Sequence, residues 1–231
     1  MTAHAVLRYD ASMTEPIPHS DANRRALLTP AFFERDPAVV APQLLGCLLA
    51  STAGGVFTAG RIVEAEAYLG SADAGSHAAT RGITKRNAVM YGPPATAYVY
   101  FTYGNHHMIN LVCGPEGVAG AVLVRALEPL HGLDAMTARR HGRSLRELCN
   151  GPGKLAQALG ADLSDNGTEL GSGRLSVYDG ERPFAQDVAV SGRVGLSAGF
   201  ELELRYYLKN SPFVSRGRTG PPTAKRATPP T

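Results

Sequence analysis

Glu64 and Glu66 stand two positions apart in "RIVEAEAYLG" (61–70), a run that is otherwise small and apolar. Read as a strand, it sends Ile62, Glu64, Glu66 and Tyr68 to one face and Val63, Ala65, Ala67 and Leu69 to the other. The second set suits a core. The first offers two carboxylates and a phenol, and His77 follows in the next loop. A carboxylate, a tyrosine and a histidine converging on one concavity make a general-base site. Acids on a strand more often face solvent or pair with arginines across the sheet. The apolar flanks of this strand argue against a solvated edge.

Tyr91, Tyr98, Tyr100, Phe101 and Tyr103 crowd a short stretch. Within "ATAYVYFTYG" (95–104), Tyr98 and Tyr100 share one face and Val99 and Phe101 the other, so a half-exposed sheet would bury only one pair. Tyr103 precedes Gly104 and Asn105, at the tip of a predicted hairpin. An aromatic at such a tip buries little in its own domain and is free to enter something else. Aromatics that wedge between bases or stack on them are frequent nucleic-acid contacts. Cations lie nearby in sequence: Arg81, Lys85 and Arg86 in the loop after His77, and Arg139, Arg140, Arg143 and Arg146 further on. Such runs are usually solvated faces; beside an aromatic hairpin they also suit phosphates.

These residues need elements to carry them. Asp36 is a good N-cap and Pro37 a good first helical residue, and Val40, Leu44, Leu45 and Leu48 repeat at helical spacing. "VFTAGRIVEAEAYLG" reads as one or two strands meeting near Gly60. Residues 71–87 read as a long loop. "NHHMINLVCG" completes the hairpin and "GAVLVRALEPL" (120–130) is a further strand. "GLDAMTARRHG", "SLRELCNG" and "GPGKLAQALG" read as helices, and "RLSVYDG", "VAVSGRVGLS" and "ELELRYYLKN" as short strands. Strands, then helices, then strands, without a βαβ rhythm, predict an α+β domain with a mainly antiparallel sheet.

The 231 residues suffice for one sizeable core, and 44% apolar with 19% charged fits an ordinary globular chain. The net charge of +3 sits largely in the last stretch, where Arg216, Arg218, Lys225 and Arg226 face no acid. The remainder is nearly neutral, so a polyanion would bind only through an uneven placement of cations. Cys47, Cys113 and Cys149 show no CxxC spacing, which suggests neither a disulfide framework nor a zinc site and makes a reducing cytoplasmic compartment the default. Neither a membrane span nor a signal peptide is evident. Residues 1–29 read as a loose arm, 30–215 as the globular domain and 216–231 as a basic disordered tail.

The blocks "RIVEAEAYLG…SHA", "YVYFTYG…N", "VLVRALEPL", "GPGKLAQAL", "RVGLS" and "NSPFVS", in this order from about Arg35 to Ser215, together resemble the alkyladenine (3-methyladenine) DNA glycosylases of base-excision repair. The resemblance implies a single α+β domain with a curved antiparallel sheet, surrounding helices and a protruding hairpin that inserts into DNA. It implies an enzyme that flips an alkylated or deaminated purine out of the duplex and hydrolyses its N-glycosidic bond, leaving an abasic site. Glu66 would activate the water, held also by Arg125 and the backbone carbonyl of Val194. Tyr68 would stack on one face of the flipped base, with His77 and Tyr100 on the other, and Asn110 would crowd out guanine's exocyclic amine. Tyr103 matches the wedge that fills the vacated stack.

Arg81, Lys85, Arg86 and Lys154 remain candidates for phosphate contact. The resemblance implies no metal and no organic cofactor, double-stranded DNA as partner, and no amine placed to form a Schiff base. A monomer is expected, since one flipped base needs one pocket. Glu64 does not match the catalytic position and is expected to brace the strand. The chain departs from the pattern at Asn105, His106 and His107, where more apolar residues are expected; the two histidines are read as DNA-facing or surface residues. Two other readings stay open: a non-catalytic binder of damaged DNA with the same aromatic pocket, and a metal-dependent phosphodiesterase using Glu64, Glu66 and His77.

Overall fold

The structure is a computed structural model that describes residues 25–79, 82–102, 104–217 and 219. The chain enters through α1 (Pro30–Phe33) and α2 (Pro37–Leu44), and Asp36 caps α2 by accepting the Ala38 N–H at 2.7 Å. The helix expected to run on to Leu48 stops at Leu44. Gly46 takes a left-handed φ of +90°, and a Cβ there would lie 1.9 Å from the Glu181 carbonyl oxygen, so the chain turns where only glycine fits. Leu48 opens β1 (Leu48–Ser51) instead.

Next come β2 (Thr58–Tyr68), β3 (Ala97–Thr102), β4 (His106–Val112) and β5 (Ala121–His131). The helices α3 (Leu133–Arg139), α4 (Leu145–Leu148) and α5 (Pro152–Leu159) follow, then β6 (Leu175–Tyr178), β7 (Val188–Ser191) and β8 (Arg205–Leu208). All described strand pairs are antiparallel, in the order β3-β4-β5-β2-β1-β6, with β8 on β2 and β7 on β8. The curled sheet with helices packed against it is the predicted α+β domain, and the hairpin β3–β4 is where the alternation placed it.

The strand that carries the glutamates is the hinge of this sheet. One edge of β2 pairs with β5 along its length; the other pairs first with β1 (through Arg61) and then with β8 (from Glu64). Two irregularities flank the handover. From Ile62↔Leu127 to Glu64↔Ala126 the register skips Val63, and from there to Ala65↔Val124 it skips Arg125. Each skip is a bulge that bends its strand and re-aims a side chain. The strict alternation expected for β2 therefore fails at its start: Ile62 joins Ala65 and Ala67 in the main core, whereas Val63 packs with Ala126 and Phe213 on the other side. Glu64, Glu66 and Tyr68 keep their shared face, and the Arg125 bulge turns its guanidinium toward them.

The hairpin departs from the pattern as well. Ala97, Tyr98 and Val99 are all buried and exposure grows toward the tip, where Phe101 is 44% exposed. Burial here follows distance from the body rather than strand face, because the hairpin projects from the sheet.

The arm expected over 1–29 is held from residue 25 onward. β6 ends the sheet with an unpaired edge, which Leu27 caps by bridging Tyr178 while Leu28 N donates to Val177 O at 2.8 Å. At the other end Thr219 bridges Val194. Residues 1–24, 218 and 220–231 of the two expected tails lie outside the described residues.

Candidate active site

Glu64 and Glu66 have no solvent exposure. A buried carboxylate is stable only when its oxygens are well supplied with donors, and both are, by different parts of the chain. Glu64 Oε1 accepts from Arg125 Nε at 2.8 Å, Arg205 Nε at 2.7 Å and Ser215 Oγ at 2.8 Å, and Oε2 accepts from Ser215 N at 2.6 Å. Glu66 Oε2 accepts from the Tyr68 hydroxyl at 2.9 Å and Arg125 Nη1 at 3.2 Å; Oε1 accepts from Val194 N at 2.7 Å. Val194 therefore meets Glu66 through its N–H, a bond separate from the carbonyl contact to water that the resemblance implies.

A cavity of about 310 Å³ opens in front of these groups. Tyr68, Arg125 and Val194 line it, and Glu66 sits one layer behind, bonded to all three. His77, Tyr100 and Asn110 line it as well, with Tyr98, Met90, Met108, Leu123 and Leu196 among the remainder. The residues chosen from the sequence for base binding and catalysis therefore gather in one place. Arg81 and Tyr103 lie outside the described residues.

The ring of His77 packs edge-on to Tyr100, centroids 4.8 Å apart, and its Nδ1 lies 3.0 Å from the Tyr98 hydroxyl. Asn87 Nδ2 donates to the His77 carbonyl at 3.0 Å and so ties down its loop. The Asn110 side chain donates to the Tyr98 carbonyl at 3.1 Å, fixing the amide against β3. Burial, aided by the Arg86 charge, lowers the His77 pKa below its ordinary value and favours the neutral ring at neutral pH. Burial and the adjacent Glu66 raise the Tyr68 pKa, so its hydroxyl keeps its proton and donates. Burial works against the Arg125 charge, but the two carboxylates outweigh it and raise its pKa.

The cations divide. Lys85 and Arg86 are exposed, and Arg86 also covers the Tyr100 ring, its Cζ 5.0 Å from the centroid. Lys154, at the start of α5, donates to Asn150 Oδ1 at 2.7 Å. Three of the helical arginines hydrogen-bond to main-chain carbonyls. Arg139 donates to Ala53 O and Ala158 O, Arg140 to Leu148 O, and Arg146 to Pro212 O. Ala158 and Leu148 lie at helix C-termini, whose last carbonyls lack intrahelical partners, and Arg139 and Arg140 supply them. His106, read as DNA-facing or surface, is half-buried and packs on the start of α5: a Cβ on Gly153 would lie 2.8 Å from its Cγ. His107 sits 5.0 Å from the Phe101 ring.

Sequence reasoning passed over Asp73, Arg193, Arg205 and Ser215. Arg193 and Ser215 fall inside the blocks "RVGLS" and "NSPFVS", which marked the stretches without assigning these residues a part.

A family model for methylpurine-DNA glycosylases matches residues 31–212. A relative from Methanoculleus marisnigri is 50% identical over 192 residues, covering 82% of this chain and 98% of its own. One from Carboxydothermus hydrogenoformans is 48% identical over 191 residues, covering 82% and 99%, and one from Koribacter versatilis is 45% identical over 206 residues, covering 87% and 99%. All three are provisionally named 3-methyladenine DNA glycosylases.

Proposed function

The chain belongs to the methylpurine-DNA glycosylase family, and we propose that it removes damaged purines from duplex DNA by a Glu66-dependent hydrolysis of the N-glycosidic bond. The observation that carries this reading is where the donors to the two glutamates lie. A carboxylate offers about four acceptor positions. All three donors to Glu66 border the cavity, whereas of the four on Glu64 only Arg125 does, and Glu66 Oε1 carries the Val194 N–H alone among the described residues. A water held at that oxygen, between Val194 and Arg125, would face the cavity.

The damaged nucleotide turns out of the duplex so that its base enters between Tyr68 and the His77–Tyr100 pair. Stacking tolerates several purines and favours cationic alkylated ones. Water attacks C1′ while the C1′–N bond breaks, its electron pair going to the departing base, and the water's proton passes to Glu66. The glutamate also faces the positive charge that develops on the sugar. Among the described residues no lysine lines the cavity, which supports direct attack by water over a Schiff-base route. Asn110 bars guanine, and Tyr103, outside the described residues, would occupy the vacated stack. Lys85, Arg86 and Lys154 remain candidates for phosphate contact, with Arg81, also outside the described residues. No helix among the described residues is long and apolar enough to cross a membrane.

The test uses a duplex with one hypoxanthine or ethenoadenine, and in parallel methylated DNA scored for released 3-methyladenine, with EDTA present throughout. Wild-type protein should form abasic sites and Glu66→Gln should not. Binding of lesion duplex without any base release would replace the enzyme by a damage-binding protein.

A further inference from the structure

Arg193 is the bulkiest of the fully buried side chains. Folding alone does not call for it, since a well-packed apolar group would avoid the desolvation of a buried ion pair. Its partner Asp73 is buried too and receives Nη1 at 2.5 Å and Nη2 at 2.6 Å. Asp73 also accepts the N–H groups of Leu69 at 3.1 Å and Gly75 at 2.9 Å, and so organises the loop between Tyr68 and His77. The same guanidinium donates to Ala67 O and Gly199 O, both at 2.9 Å. Burial alone would raise the pKa of Asp73 and lower that of Arg193, but the pairing prevails: Asp73 is lowered and Arg193 raised.

The surroundings are fitted to this pair. A Cβ on Gly75 would lie 2.6 Å from Nη2, so the glycine admits the guanidinium. Arg193 Cζ lies 4.6 Å from the centroid of the Tyr68 ring. Its Nε has no hydrogen-bond partner among the described residues, a cost accepted while the other donors fix the group in place. Arg193 does not line the cavity, yet it touches the ring that does, holds the carbonyl between Glu66 and Tyr68, and is joined directly to Val194, whose N–H reaches Glu66. Only a planar fork with several fixed donors can serve these acceptors at once; a lysine would lose the geometry and keep the charge.

We propose that the Asp73–Arg193 pair is the positioning device of the reaction, setting the Val194 N–H on Glu66 and the Tyr68 ring at the cavity wall. This rests on the roles assigned above to Glu66 and Tyr68. A displacement of about 1 Å at a reacting group can cost on the order of 100-fold in rate, whereas a partly disturbed base stack costs less.

Asp73→Asn and Arg193→Lys should be compared with wild type on an ethenoadenine duplex, each below its own melting midpoint. Single-turnover rate with enzyme in excess, lesion-duplex affinity and melting temperature are measured separately. The expected result is a rate loss of about 100-fold in Asp73→Asn, with affinity falling less than about tenfold. Arg193→Lys should fall between it and wild type. Folded Asp73→Asn that excises at the wild-type rate overturns the proposal, as does a loss of rate and affinity in equal measure. Failure of both variants to fold overturns it too, because the pair would then serve the fold. Wild-type protein that releases no base under the same conditions sinks the glycosylase reading instead.

Discussion

Glu64 and Glu66 lie on one strand and one face, two residues apart and equally buried, yet they are built into different machinery. The donors on Glu64 come from β5, β8 and the Ser215 segment, and Arg125 alone among them borders the cavity. The donors on Glu66 all border it. Location separates a brace from a reagent: only the carboxylate whose donors all border the cavity is placed to meet a water there. Arg125 belongs to both networks, with Nε on Glu64 and Nη1 on Glu66. The brace thereby fixes the guanidinium that the reagent needs.

Exchanging one atom at each glutamate should pull the two apart. Glu66→Gln removes the base that takes the proton, and general-base catalysis is worth about 10²–10⁴-fold; the single-turnover rate should fall by at least about 10²-fold with lesion binding retained. Glu64→Gln places an amide among donors that need an acceptor. Breaking a buried pair costs about 3–5 kcal/mol, which should lower the melting temperature by on the order of 10 °C. Below its own midpoint that variant should keep far more activity than Glu66→Gln. The reverse pattern, an inactive but stable Glu64→Gln beside an active Glu66→Gln, would invert the assignment.

That division was partly legible beforehand. Alternation located the strand and the shared face, because β-period is local, and the Gly104–Asn105 turn located the hairpin. The bulges at Val63 and Arg125 were not legible: each depends on which partner strand lies opposite, a long-range fact. For the same reason Ile62 was placed on the wrong face. Leu48 fitted a helical stripe because a buried strand and a buried helix end look alike over a few apolar residues, and Gly46 decided between them. Asp73 and Arg193 lie far apart in the chain, and no local pattern joins them. Nor does the charge run of Arg139, Arg140 and Arg146 show which carbonyls lie near.

Tyr68→Phe tests the contact between reagent and cavity wall more gently. It keeps the ring beneath Arg193 and deletes only the hydroxyl donating to Glu66 at 2.9 Å. A hydrogen bond to a charged group is worth about 1.5–3 kcal/mol, so a rate loss of at least about tenfold is expected, with lesion affinity close to wild type. A loss of affinity without a loss of rate would assign the hydroxyl to the base instead.

The smallest effect lies on the far side of the cavity. His77 packs against Tyr98 and Tyr100 on one side and is exposed on the other. Burial and the Arg86 charge lower its folded pKa below the ordinary value of 6.5. As pH falls below about 6.5, the unfolded chain takes up a proton that the folded chain still refuses, so this contribution to stability is lost downward until the folded pKa is passed. Above that window it is fully present. Wild type should therefore lose slightly more melting temperature between neutral and mildly acid pH than His77→Gln, which cannot take up that proton. Equal slopes would mean that Tyr98, Tyr100 and Arg86 leave the imidazole as free to charge as it is in water. The difference is small because His77 is open to solvent on one side, where water screens the Arg86 charge, whereas no solvent reaches Glu64 and Glu66.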